Sequence, residues 1–167
     1  LVHKTGAISL RADLSVGQDV TRIAGEIEAQ GASVEVLINN AGATQVMPFA
    51  LIEEEDWDFI MAANVKSMFL VTKAMVRRMI AAKRGIIVNI GSIAGKRLLE
   101  VPVHYATAKA AVCGFSLGLA KELARYNIRV NTVIPGMLTQ GVSGMVPEKQ
   151  KAEYLKHCTA GRTGEMS

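Results

Sequence analysis

Ile86-Ile87-Val88-Asn89-Ile90 is an apolar run broken by one asparagine, and it flows into Gly91-Ser92-Ile93-Ala94-Gly95. Such a run does not alternate with polar residues. It suits a strand buried on both faces, as in a parallel sheet with crossover helices above and below. Working outward, Val36-Leu37-Ile38 precedes it and residues 128–134 follow it with the same character, and Ala7-Ile8-Ser9-Leu10-Arg11 also reads as a strand. Helical sequence lies between. Ser15-Val16-Gly17-Gln18 has a capping-box pattern opening a helix that runs to Gln30, with Gly31 suited to the position after its end. Glu53-Glu54-Glu55-Asp56 places negative charge on the first turn of the next helix, as the helix dipole favours. That helix continues to about Lys83, with a bend predicted near Asn64, because an asparagine amide competes for backbone partners inside a helix. Residues 104–126 form another helix with Pro102 near its start, and from Met137 onward loop and short helix are expected. Alternating strands and helices of this kind predict an α/β fold, a doubly wound parallel sheet.

Composition narrows the function classes. The 167 residues are 50% hydrophobic and 20% charged, which predicts one globular domain over residues 1–167. Only 5% are aromatic, so the core must be mainly aliphatic. The net charge of +4 is scattered, and its closest clusters are Arg77-Arg78 and Lys83-Arg84. Solvated helix ends explain these better than a nucleic-acid surface, so no nucleic-acid partner is expected. Cys113 and Cys158 make neither a disulfide framework nor a metal spacing. A reducing, cytoplasmic compartment and no metal are the expectation. No signal peptide is expected, nor an apolar run long enough to span a bilayer, nor any membrane partner.

The chemistry concentrates in Tyr105-Ala106-Thr107-Ala108-Lys109. Four residues apart on a helix, the phenol and the ammonium project from one face. An ammonium nearby favours the phenolate, lowering a pKa that starts at about 10. A tyrosine tuned in that way gives or takes a proton near neutral pH. Tyrosine and lysine also meet at this spacing on ordinary surface helices, so the neighbours must decide. Ser92 lies thirteen residues upstream at a strand end, Asn39-Asn40-Ala41-Gly42 closes an earlier apolar run, and Asn131-Thr132-Val133-Ile134-Pro135-Gly136 comes downstream.

This ordered set resembles the short-chain dehydrogenase/reductase family in its single-domain form, over most of the chain from Asp13 to about Gly164. The resemblance implies a Rossmann fold and hydride transfer between NADP or NAD and a small carbonyl or alcohol substrate. It makes Tyr105 the general acid or base. Lys109 assists it and holds the nicotinamide ribose, Ser92 hydrogen-bonds the substrate oxygen, and Asn64 takes part in a water and lysine proton relay. It places Asp13 and Leu14 at the adenine, Asn40, Ala41 and Gly42 at the cofactor ribose, and Pro135, Gly136 and Leu138 toward the nicotinamide carboxamide. Each has a plainer reading: a surface tyrosine, a solvated lysine, a turn serine, or an aspartate capping a turn. The flavour is that of 3-oxoacyl-acyl-carrier-protein reductases, with sugar or polyol dehydrogenases as the alternative. A homo-oligomer, dimer or tetramer, is implied by the family habit of pairing through the long helices. The small residues Ala106, Ala108, Ala110, Ala111, Gly114, Ser116, Gly118 and Ala120 fit that habit, with tight packing on the sheet as the plainer reading.

Several features depart from the family pattern. Gln140 stands where many relatives carry threonine, and Thr139 sits one position earlier. Lys96 and Arg97 occupy a loop that is small and polar in several carrier-dependent reductases, and read most simply as exposed charges. His104 reads as packing or helix-start polarity. No Gly-rich pyrophosphate turn occurs in the sequence. In the family sheet the first two strands lie between the third and fourth. Here those two and the last strand are missing from the pattern, which predicts a piece of a longer enzyme and an open apolar edge on the 36–38 strand. The choice between NAD and NADP is therefore unreadable, and the substrate is hidden in the variable 137–156 segment. A non-catalytic fragment and an epimerase or dehydratase of extended relatives are the other classes. Asn39-Asn40-Ala41-Gly42 argues against the latter.

Overall fold

The computed structural model describes residues 7–97 and 100–165, the side chains of residues 142 and 145 apart. Leu98 and Leu99, in the loop between Gly95 and Tyr105, lie outside the described residues. Strands β1 (Val36–Asn39), β2 (Gly85–Ile90) and β3 (Ile128–Val133) form a parallel sheet in that order. Val36 pairs in register with Ile86, and Ile86 in turn with Arg129. The helices are α1 (Gly17–Ala29), α2 (Glu54–Met61), α3 (Ser67–Ala82), α4 (Val103–Leu123) and α5 (Glu148–Lys156). These match the predicted elements closely, and the alternating parallel architecture is the expected one.

Three local expectations change. Residues 7–11 form no strand. A strand exists by its ladder, and β1, at the edge of the sheet, pairs only with β2 among the described residues. The capping box at Ser15 does not form either. Val16 is the N-cap of α1 without a side-chain cap bond, and the Asp13 carboxylate instead takes both the amide and the hydroxyl of Ser15, at 2.9 and 2.7 Å. At α2 a capping box does form, between Glu53 and Asp56. Third, residues 54–82 are one apolar helical stretch of 29 residues with mean hydropathy 1.4 over its most apolar window. By length and composition alone it reaches the size of a bilayer span, which the sequence was not expected to contain. Packing accounts for part of its hydropathy, since Met68, Val71, Met75 and Met79 are buried within the protein.

The predicted bend near Asn64 is a π-helical turn, Ala62–Lys66, joining α2 to α3. One residue is inserted into the helical ladder there, a device common at functional sites. Lys83 closes α3 in the left-handed region, with φ 49°.

The core sits on one face of the sheet. Met79 of α3, Ile87 of β2, Leu123 of α4 and Ile128 of β3 form one buried cluster, and Leu37, Val76 and Leu119 pack around it. A second cluster joins Val20 of α1 to Val71 and Met75 of α3. A polar ladder crosses the same face. Asn39 Nδ2 donates to Thr72 Oγ1 (2.9 Å) and to Asn89 Oδ1 (2.8 Å), and Asn89 Nδ2 donates to Ser116 Oγ (2.8 Å). Ser116 Oγ in turn donates to the Val112 carbonyl. The opposite face differs from the two-sided burial that the apolar runs predict. Val36 and Ile38 of β1 and Val133 of β3 are exposed there, at 52%, 61% and 49%.

Candidate active site

Because the strands are parallel, their carboxyl ends lie along one edge of the sheet, where ligands bind in folds of this type. β1 ends into Asn40-Ala41-Gly42, β2 into Gly91-Ser92, and β3 into Pro135-Gly136. The ends of β2 and β3 are tied together. The Gly91 amide donates to the Val133 carbonyl, and the Ile93 amide to the Pro135 carbonyl.

Helix α4 delivers Tyr105 and Lys109 to this edge. Ser92 caps a short turn, Ile93–Gly95, by accepting from the Ala94 amide. That turn lies hard against α4: a Cβ on Gly95 would come within 2.7 Å of the Lys109 and Ala110 backbone. Only glycine permits such an approach. It brings the Ser92 hydroxyl near enough to the Tyr105 phenol to favour its ionised form.

Lys109 is 6% exposed, and its ammonium donates to the Ile90 carbonyl at 3.1 Å. Its Nζ lies 5.8 Å from the Tyr105 ring centroid. Burial lowers the Lys109 pKa. Burial also raises that of Tyr105, and the nearby Ser92 hydroxyl pulls it back only in part. The expected lowering of the phenol by its lysine is therefore not what this structure shows. The ammonium is engaged by the strand end, and both groups pay for desolvation of their charged forms.

Asn64 completes the cluster from the π turn. Its Nδ2 donates to the Ala43 and Ile60 carbonyls at 2.8 and 2.9 Å. Its Oδ1 is buried and has no hydrogen-bond partner among the described residues. A Cβ on Gly42 would stand 2.6 Å from that oxygen and 3.3 Å from Lys109 Nζ. Asn64, Lys109 and Gly42 thus meet at one point, although the sequence holds them far apart.

Asn40, Ala41 and Gly42 are exposed. Asp13 sits in the turn before α1, where its bonds from Ser15 hold its carboxyl below the ordinary carboxylate value. The Leu14 side chain packs against the Val20–Val71–Met75 cluster. Leu138 forms a parallel bridge with Gly164, and the Thr139 amide donates to the Gly164 carbonyl. Lys96 and Arg97 are exposed. His104 is fully buried and lies 3.4 Å from Gln45 Oε1, while Gln45 donates to Asp56 at 2.8 Å. This agrees with a packing and helix-start role.

Sequence reasoning missed the asparagine ladder and the contact of Tyr154 with the end of β3. A signal for the ladder was present, since an asparagine interrupts or closes each of two apolar runs. No local signal marks Tyr154.

Comparison with known proteins bears on the family and the fold. The short chain dehydrogenase family profile matches residues 2–151. A 3-oxoacyl-acyl-carrier-protein reductase of Haemophilus influenzae is 38% identical over 140 residues, 84% of this chain and 58% of that protein. Among solved structures, a gluconate 5-dehydrogenase of Burkholderia cenocepacia in complex with NADP and tartrate superposes with TM-score 0.86 at 30% identity, covering 92% of this chain and 61% of the other. A 3-oxoacyl-acyl-carrier-protein reductase of Brucella melitensis with bound NAD gives TM-score 0.83 at 30% identity, over 95% and 60% of the two chains. The chain therefore spans about three-fifths of the length of these relatives. With its Rossmann-type sheet and a family match over most of its length, the chain belongs to the short chain dehydrogenase family.

Proposed function

We propose that this chain carries the proton-transfer half of an oxidoreductase that moves a hydride between NADP or NAD and a carbonyl or secondary alcohol. The observation that carries the reading is the convergence of Ser92, Tyr105, Lys109 and Asn64 beside Gly42 at the carboxyl edge of the sheet. The site's own chemistry fits the cofactor. An ammonium has three protons, and the Ile90 carbonyl takes one of Lys109's. The orphaned Asn64 Oδ1 beside it is an acceptor ready for a water or a hydroxyl. Asn40, Ala41, Gly42, Tyr105 and Lys109 would hold the ribose side, Pro135, Gly136 and Leu138 the nicotinamide side, and Asp13 with Leu14 the adenine.

When bound, the cofactor supplies or accepts the hydride. The chain's residues handle the oxygen and its proton. Ser92 donates to the substrate oxygen and fixes its position as charge develops there. Tyr105 gives that oxygen its proton in reduction, and takes it back in oxidation. Burial keeps the phenol protonated, which suits the reducing direction. The Lys109 charge stabilises the phenolate left behind and can pass a proton back to it, and Asn64 lies where a water can then restore the proton to Lys109.

The preferred substrate is a 3-oxoacyl thioester, supported by the 38% identity to the Haemophilus influenzae reductase. A sugar acid or polyol is the second reading, supported by the fit to the gluconate 5-dehydrogenase structure. We place the protein in the cytoplasm, in keeping with two free cysteines, and assign it a dimer or tetramer built on α3 and α4. Exposed Phe69 and Leu117 on those helices support that assembly.

Two experiments test the reading. Titration of the chain with NADH and NADPH, followed by emission of its one tryptophan, Trp57, is expected to saturate; no saturation with either removes the cofactor assignment for this chain. Tyr105→Phe is expected to cut carbonyl reduction at least about a hundredfold while leaving cofactor affinity intact. Turnover within a few-fold of the parent refutes the role of Tyr105.

A further inference from the structure

Helix α5 returns to the strand ends through one side chain. The Tyr154 hydroxyl accepts from the Met137 amide at 3.3 Å. It also fills the space where Gly136 has no side chain: a Cβ there would lie 2.5 Å from the hydroxyl oxygen and 3.8 Å from the ring carbon that bears it. The other end of the same segment is pinned beside it, because the Gly164 amide donates to the Met137 carbonyl and the Thr139 amide to the Gly164 carbonyl. Residues 137–164 therefore leave β3, carry α5, and return to their own starting point.

We propose that Tyr154 is a positioning residue, the latch that seats α5 on the Gly136-Met137 backbone and so closes residues 137–164 over the carboxyl end of β3. Gly136 is the matching half of the latch. Ordinary turn geometry does not account for the glycine, because its φ lies outside the left-handed region. The close hydroxyl does. Of the two atoms within reach of an added methyl group, only the hydroxyl oxygen collides; the ring carbon stands at ordinary contact distance. The consequence for function rests on the nicotinamide reading above: with the latch undone, the Gly136–Leu138 backbone loses the support that holds it toward the cofactor.

Amide hydrogen exchange on the full chain tests the latch without any cofactor, with β2 amides as the internal reference. Tyr154→Phe is expected to speed exchange at the Met137 amide roughly fivefold, the scale of one lost hydrogen bond. Gly136→Ala is expected to speed exchange across α5 by more, since the hydroxyl must move aside. The double variant is expected to exchange no faster than Tyr154→Phe alone, because removing the hydroxyl removes the collision. Additive effects of the two changes, or an unaltered Met137 amide in Tyr154→Phe, overturn the latch. In the same variants NADH or NADPH affinity should fall severalfold, and unchanged affinity overturns the link to the cofactor. A parent chain that binds neither dinucleotide counts against the functional reading alone, since the exchange result does not depend on it.

Discussion

The two faces of the sheet carry side chains of the same kind and meet opposite fates. On one, Leu37, Ile87 and Ile128 pack under α3 and α4, and the Asn39–Asn89–Ser116 ladder is satisfied within the packing. On the other, Val36, Ile38 and Val133 face outward. Strand hydrophobicity records that both faces are built for burial. It does not record which helices do the burying. The covered face also leads to the site, since α4 brings both its core contact Leu123 and the pair Tyr105 and Lys109. Packing on that face therefore sets the reacting geometry.

The sharpest way to break this contrast is Ile87→Ala, which truncates a fully buried side chain of β2. It is expected to cost about 2–5 kcal/mol, read from urea denaturation. A loss as small as that of a surface change would mean that the covered face is not the core. Next is Asn89→Leu, which strips the ladder of its central amide and leaves Asn39 and Ser116 short of a partner. A destabilisation of about 1–3 kcal/mol is expected; no change would make the ladder incidental to folding.

A third test uses pH. Burial lowers the folded-state pKa of Lys109 below its ordinary value of 10.5. Below the folded-state pKa the residue is charged in both states, so the folded state bears the full cost of burying the ammonium. That cost disappears as pH rises through the folded-state pKa toward 10.5, where the unfolded chain also loses its proton. Stability of the parent relative to Lys109→Met should therefore improve across that alkaline window. A difference that stays flat with pH would show the ammonium to be better solvated than the structure has it.

The smallest effect is expected on the open face. Ile38→Lys should change stability by no more than about 0.5 kcal/mol, while reducing self-association measured by light scattering, because it interrupts an exposed apolar edge. A large loss of stability would mean that this face is covered in solution.

Much of this was legible in the residues. The strand runs at 36–38, 86–90 and 128–134, the bend at Asn64 and the pair Tyr105 and Lys109 all follow from local periodicity and spacing, and the structure places them as expected. Residues 7–11 show the limit. Their composition suits a strand, but none forms there, and β1 pairs only with β2 among the described residues. Ser15 shows it on a smaller scale, since Asp13 competes successfully for the bonds of the expected cap.

The sequence by itself determined the alternation of strands and helices, the family, and the residues that end at the carboxyl edge, because each of these is written in neighbours along the chain. The tertiary structure decided what distance along the chain conceals. It put Asn64 against Gly42 and Lys109, linked Asn39 to Asn89 across the strand register, and set Tyr154 on Gly136. It also reversed the expected direction of the Tyr105 pKa. Spacing reports that a lysine is near, but burial and the direction in which its ammonium points are properties of the packed chain.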